Sequence, residues 1–232
     1  MGDPINAVKI FNEKEVDELI VLDIDGTVEG REPDYKMIQD LAAECRMPFC
    51  YGGGVKTVEQ AVRIINLGVE KVAVSSGFVD KPELVSEMAN AVGTQSVVAV
   101  VDVKKTGLAG NYEVFTHNGS RKARKNLLEY CLQLEALGIG EIVINSIDKD
   151  GQMKGYDKKL VARVRQAISV PLTVLGGAGT LEDIKSLIAE YGIIGAAAGS
   201  LFVFKGVYRA VLISYPQRAD KEATFDRHSI SS

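Results

Sequence analysis

Two glycine turns carry the densest chemical signal in the chain. Gly52-Gly53-Gly54 and Gly176-Gly177-Ala178-Gly179 each follow a short apolar run and precede a helical pattern. Glycine there lets the backbone approach a ligand, and the free N–H groups that open a helix favour an anion. The next runs end in Ser75-Ser76-Gly77 and Gly199-Ser200, which add hydroxyl and amide donors. One such turn is an ordinary strand-to-helix connection. Two of them, each followed by a Ser/Gly strand end, point to a pair of phosphate sites.

Acidic residues close the other runs: Asp23 and Asp25, Asp102, then Asp148 and Asp150. A carboxylate so placed acts as a general acid or base, or it caps a helix or pairs with a base such as Lys104. Glu129, early in a helical pattern, reads equally as an acid/base group or as a first-turn partner of the helix dipole. Glu18 and Glu141 open their runs and so belong to the opposite end. They are either structural ion pairs or, with Lys104 or another base, a gate. His117 borders a basic stretch, NGSRKARK at 118–125, expected as a solvated loop that would cover an anionic ligand beside a phosphate site.

These residues repeat. Shifted by 123 positions, Glu18 falls on Glu141, Asp25 on Asp148, Asp34 on Asp157, Gly53-Gly54 on Gly176-Gly177, Thr57 on Thr180 and Glu59 on Glu182. That period is too long for a solenoid, whose units run roughly 20–50 residues. The elements that must position the repeat alternate. Apolar runs lie at 18–25, 47–51, 71–75, 96–103, 141–146, 170–175 and 195–199. Helical patterns lie at 4–12, 35–45, 58–67, 82–92, 126–137, 158–168 and 181–191, and a small hairpin arm is expected at 112–116. Near-continuous apolar strands between helices mean a parallel sheet covered on both faces. A doubly wound sheet fits the alternation but not the two-fold repeat. A (β/α)8 barrel of two half-barrels fits both, with chemistry at the C-terminal ends of its strands. The expectation is one domain over 1–232, halves at about 1–123 and 124–216, a polar tail at 217–232, and no first strand. Runs 18–25 and 195–199 would then be open edges, which favours dimerisation, imperfect closure or low stability.

Composition narrows the function classes. The net charge of −4 argues against a nucleic-acid surface. No apolar run approaches the ~20 residues that span a bilayer, and Met1-Gly2-Asp3-Pro4 shows no export signal. Three cysteines without CxxC spacing predict a cytoplasmic setting with no disulfide framework, and two histidines make a His-based metal site unexpected. No cofactor is expected.

Together these motifs resemble the cyclase subunit of imidazole glycerol phosphate synthase. The likeness is carried by LDID at 22–25, YGGGVKTVEQA at 51–61, KVAVSSGFV at 71–79 and VVDVKK at 100–105. It continues through GEIVINSIDKDGQMKGYD at 140–157, LGGAG at 175–179 and AAGSLFVF at 197–204. The resemblance implies a barrel that takes ammonia from a glutaminase partner and cyclises a substrate with a phosphate at each end. It implies one phosphate on Gly54, Ser75 and Ser76, and the other on Asp150, Gly151, Gly177, Gly199 and Ser200. It makes Glu18 and Glu141 candidates for the ammonia gate and Glu129 a candidate for catalysis, beside Asp102, which is a candidate from its place at a strand end. The chain departs from the family pattern in three places. The first strand, with its aspartate and lysine-bearing loop, is not in the sequence. Glu129 stands where the family has aspartate, and Ser75-Ser76 where it usually has Asn-Thr. Such departures resemble paralogues that feed ammonia to sugar amidation in surface-polysaccharide synthesis. A non-catalytic barrel that binds the glutaminase is the other alternative.

Overall fold

Strands with no polar alternation must be covered on both faces, and the chain covers them with helices outside and its own bore inside. A computed structural model describes residues 3–107, 110–206 and 208–225. In chain order the elements begin α1 (Pro4–Glu13), β1 (Leu19–Leu22), α2 (Ile24–Val28), α3 (Tyr35–Glu44), β2 (Phe49–Gly52), α4 (Val58–Asn66) and β3 (Lys71–Val74). Then come α5 (Ser76–Asp80), α6 (Leu84–Val92), β4 (Val97–Thr106), β5 (Asn111–Thr116), β6 (Arg121–Asn126), α7 (Leu127–Ala136) and β7 (Glu141–Ser146). The remainder is α8 (Lys158–Ala167), β8 (Leu172–Leu175), α9 (Leu181–Tyr191), β9 (Gly195–Ala196), α10 (Ser200–Val203), β10 (Phe204–Lys205), β11 (Ala210–Val211) and α11 (Arg218–Phe225).

Seven strands form one parallel sheet in the order β1-β2-β3-β4-β7-β8-β9. It is the curled sheet of a (β/α) barrel that lacks a strand. Alternation along each strand separates two cores. On β2, Phe49 and Tyr51 pack outward with Ile38, Leu41 and Ile64 of the helices. Cys50 points inward, where Ala73, Val98, Val100 and Val143 form a narrow apolar bore flanked by Ile20 and Leu175. Fully burying such aliphatic side chains stabilises the fold by roughly 1.5–3 kcal/mol each.

Among the described residues β1 pairs only with β2 and β9 only with β8, so the ring is not closed by strands. The C-terminal segment runs along this seam. Leu212 and Ser214 donate their N–H groups to Val203 and Phe202, at 2.9 and 2.8 Å. Tyr215 then donates its hydroxyl to Asp17 at 2.6 Å, and Lys221 reaches the same carboxylate at 2.7 Å.

Three expectations are corrected. The run at 18–25 is not one strand. Asp23 accepts the N–H groups of Asp25 and Gly26 at 3.1 and 3.0 Å, and this cap turns the backbone into α2. The run at 195–199 supplies only a two-residue strand, Gly195–Ala196, and Ala197 adds one bond to Val174 at 2.9 Å. The basic stretch at 118–125 is not a loop beyond Ser120: it becomes β6, hydrogen-bonded to β5, which is itself antiparallel to β4.

Candidate active site

The C-terminal ends of β1, β2, β3, β4 and β7 converge on a cavity of about 290 Å³. Its wall includes Asp23, Gly53-Gly54, Ser75-Ser76, Asp102, Asn145 and Asp150. The glycines there are required by geometry. Gly53 and Gly54 have φ of 121° and 70°, and their counterparts Gly176 and Gly177 have 91° and 117°. A Cβ on Gly53 would lie 2.4 Å from the carbonyl of Asp23, and one on Gly177 2.4 Å from that of Gly155. Each turn feeds a helix whose first turn is closed by a capping box, Thr57 with Gln60 on α4 and Thr180 with Asp183 on α9. Ser75 caps α5 with no side-chain bond. Among the described residues the hydroxyls of Ser75, Ser76 and Ser200 make no hydrogen bond.

Not every expected phosphate residue joins this wall. Gly54, Ser75, Ser76 and Asp150 do; Gly151, Gly177, Gly199 and Ser200 are not part of it. Gly177 lies in the turn after β8, where its carbonyl accepts from Gly155 at 2.8 Å, and Gly199 caps α10 just after β9. The carbonyl of Gly151 accepts from Arg209. These four belong to the ends of the last strands and the loop before α8.

The acidic strand ends divide in the same way. Asp23 is committed to structure: beyond its cap, its second oxygen accepts from Arg31 at 3.2 Å. Asp148 accepts the backbone N–H of Lys105 at 2.7 Å and, like Asp25, does not line the cavity. Asp102 does. Asn145 donates Nδ2–H to Asp102 at 2.8 Å, while its own Oδ1 is buried with no partner. Burial pushes the Asp102 carboxyl above the usual carboxylate range; the Asn145 bond pulls it down and nearby Asp150 adds a smaller upward push. Glu129 is exposed in the first turn of α7 and is not among the lining residues. His117 and Asn118, in the turn between β5 and β6, are. Sequence reasoning missed Asn145, although its signal was present: in β7 the inward positions read Glu141, Val143, Asn145.

At the opposite end of the bore, Glu18 and Glu141 meet. Their base is Lys71, which donates to Glu18 Oε1 at 2.8 Å and to Glu141 Oε2 at 2.9 Å. Thr173 donates to the other Glu141 oxygen at 2.6 Å. Lys104 is not involved. It lies past Asp102 on β4, with Nζ 3.4 Å from the Gly119 carbonyl and 5.4 Å above the Phe115 ring. Lys71 opens β3, as the glutamates open or precede β7 and β1, so strand polarity alone puts all three at one end. Burial alone would lower the pKa of Lys71, but the bonds from Glu18 and Glu141 outweigh it and hold the ammonium above its usual value. Among the described residues, no group of three or more His, Cys, Asp or Glu side chains could hold a metal ion, and no helix is long and apolar enough to cross a membrane.

A curled parallel sheet with matched glycine turns at its strand ends and an ion cluster at its floor defines a (β/α)-barrel protein. The chain belongs to the histidine biosynthesis protein family, whose pattern matches residues 1–209. It is 55% identical over 225 residues to a Leptospira borgpetersenii protein provisionally named imidazole glycerol phosphate synthase subunit HisF, covering 97% of this chain and 89% of that protein. It is 53% identical over 226 residues to a Vibrio vulnificus protein, provisionally named as subunit hisF3, covering 97% and 87%. It is 37% identical over 202 residues to the imidazole glycerol phosphate synthase subunit HisF of Exiguobacterium sibiricum, covering 87% and 80%.

Proposed function

We propose that this chain is the cyclase subunit of a glutamine-dependent synthase. It receives ammonia from a partner glutaminase and converts a ribulosyl-formimino aminoimidazole carboxamide ribotide, phosphorylated at both ends, into imidazole glycerol phosphate and aminoimidazole carboxamide ribotide. The observation that carries this reading is the axial arrangement of one apolar bore between two polar ends. At the floor, Lys71 held by Glu18 and Glu141 guards the way in. The bore walls of Cys50, Ala73, Val98, Val100 and Val143 admit neutral ammonia and disfavour ammonium, because an unpaired charge is costly to bury. At the mouth, a carboxylate with a raised pKa is a stronger base than ordinary aspartate, so Asp102 suits proton removal from the attacking nitrogen. Glu129 serves as the second acid/base group. Gly54, Ser75 and Ser76 hold one phosphate. Asp150, Gly151, Gly177, Gly199 and Ser200 hold the other. No cofactor takes part.

The test is ammonia-dependent turnover of the bisphosphate by the chain alone, followed by glutamine-dependent turnover with a glutaminase subunit. Turnover in both supports the reading. Absence of turnover, with inorganic phosphate still raising the melting temperature, would replace it with a non-catalytic binding barrel. A second reading draws on the chain's greater identity to the provisionally named relatives than to the Exiguobacterium protein, and on Glu129 and Ser75-Ser76. In that reading the barrel passes ammonia on for sugar amidation. It predicts glutaminase stimulation that depends on Lys71 without cyclisation.

A further inference from the structure

A second cavity lies away from the mouth. It is a half-open groove of about 880 Å³ along the β5–β6 arm, bounded by the start of α7 and by Arg163 of α8. Its wall presents Lys122, Arg124, Lys125 and Arg163, with a single carboxylate, Glu113. Lys122 already pairs with that carboxylate at 2.6 Å. The other three cations have no acidic partner among the described residues. Lys125 is held 5.3 Å above the Tyr130 ring, and Arg163 5.3 Å above the Tyr112 ring. Tyr112 is itself fixed, donating its hydroxyl to Asp157 at 2.8 Å. Arg124 is exposed and stands in a bulge of the β5–β6 ladder with a left-handed φ of 54°. Asn126 adds a donor: its Oδ1 is occupied by the N–H groups of Leu128 and Glu129, at 3.0 and 3.3 Å, which leaves its NH₂ free.

This concentration of charge is unlike the rest of the chain. The protein carries a net charge of −4, yet residues 111–126 hold four Lys or Arg against one Glu, and the fold brings Arg163 to join them. Unpaired cations gathered in one place repel each other. Stacking on Tyr112 and Tyr130 keeps two of them there. The volume lies in the range of small-molecule sites, about 300–1,000 Å³. Its donors converge from a strand, a helix start and a second helix, as in a concave ligand site.

We propose that this groove is a binding site for a small, multiply charged phosphorylated molecule, separate from the ligand at the barrel mouth. Arg124 and Arg163 supply bidentate contacts to phosphate oxygens, and Lys125 and Asn126 complete the cradle. The proposal does not depend on the cyclase reading. The ribbon that carries these cations also carries His117 and Asn118 into the mouth cavity, so the two sites share one support without sharing a lining residue.

Calorimetric titration of the intact chain with inorganic pyrophosphate, at low and high salt, tests it. Wild-type protein is expected to show two classes of site, the groove and the two phosphate positions of the mouth taken together. Arg124→Glu, at an exposed position with no partner to lose, should weaken one class about tenfold or more and leave the other. Ser75→Ala with Ser76→Ala should do the reverse. Arg163→Ala, checked by circular dichroism for intact folding, should act as Arg124→Glu does. If Arg124→Glu leaves the whole isotherm unchanged, or if only the serine variants alter it, the groove is not an anion site. If Arg124→Glu weakens both classes equally, the effect is general electrostatics and the proposal falls in that case too.

Discussion

The two halves of the barrel share their caps and turns but not their chemistry. Asp34 accepts the N–H of Met37 at 3.0 Å, and Asp157, 123 positions on, accepts that of Leu160 at 3.2 Å. Both capping boxes and both positive-φ glycine pairs recur at the same spacing. The floor does not. Lys71 falls on Ile194, and Cys50 falls on Thr173, the residue that donates to Glu141. The first half therefore supplies the cation and the second half the hydroxyl for a single cluster. Asp34 is exposed, whereas Asp157 is only 7% exposed and also accepts from Tyr112 and pairs with Lys105 at 2.9 Å. What is common to the halves shapes backbone turns. What differs between them meets on the barrel axis or at the arm, where one copy of each group suffices.

The sharpest way to break the equivalence is at its glycines. Gly53→Ala and Gly177→Ala each combine a left-handed φ with a Cβ placed 2.4 Å from a carbonyl oxygen. Each should cost about 3 kcal/mol in denaturant unfolding. Unequal losses would show that one half tolerates a shifted turn. Next comes the asymmetric floor. Lys71→Met leaves two carboxylates facing each other, and should cost about 2 kcal/mol, since Glu18 is partly in solvent. That corresponds to a fall of roughly 4–8 °C in melting temperature. Adding Glu141→Gln should recover part of it, and no recovery would mean that lost packing dominates.

A smaller and more symmetrical effect is expected at the boxes. Thr57→Ala and Thr180→Ala should each destabilise by about 1 kcal/mol, and their sum should hold in the double variant because the sites are independent. The smallest effect is a titration. With its pKa raised by burial, Asp102 contributes stability that is present below the usual aspartate range and lost as pH rises through its folded value. Asn145→Ala removes the bond that opposes burial, so the Asp102 carboxyl followed by NMR should titrate at higher pH still. A titration moved to lower pH would show that Asn145 does not hold the ionised form.

Much of this was legible in the linear chain. Helix limits at 35–45, 58–67 and 181–191 agree with α3, α4 and α9 to within a residue, because caps and 3.6-residue spacing are local. The hairpin arm expected at 112–116 matches β5, while its second strand, β6, lies in the stretch expected as a loop. Less legible was the end of the first run, where the Asp23 side chain competes with the sheet for the backbone. The last strand was over-read because Ala and Gly runs carry little information about pairing.

The sequence by itself determined the class of fold, the two glycine turns and the face on which each charged strand end stands. Periodicity and strand polarity settle these without reference to distant residues. Only the tertiary structure decided partners. Lys71 reaches Glu18 and Glu141 across 53 and 70 residues, and Asn145 reaches Asp102 across 43. It also decided that the basic stretch at 121–125 is a strand facing Arg163. The physical reason is that a period of two says which way a side chain points, while its neighbour across the bore depends on how the sheet curls and staggers its strands.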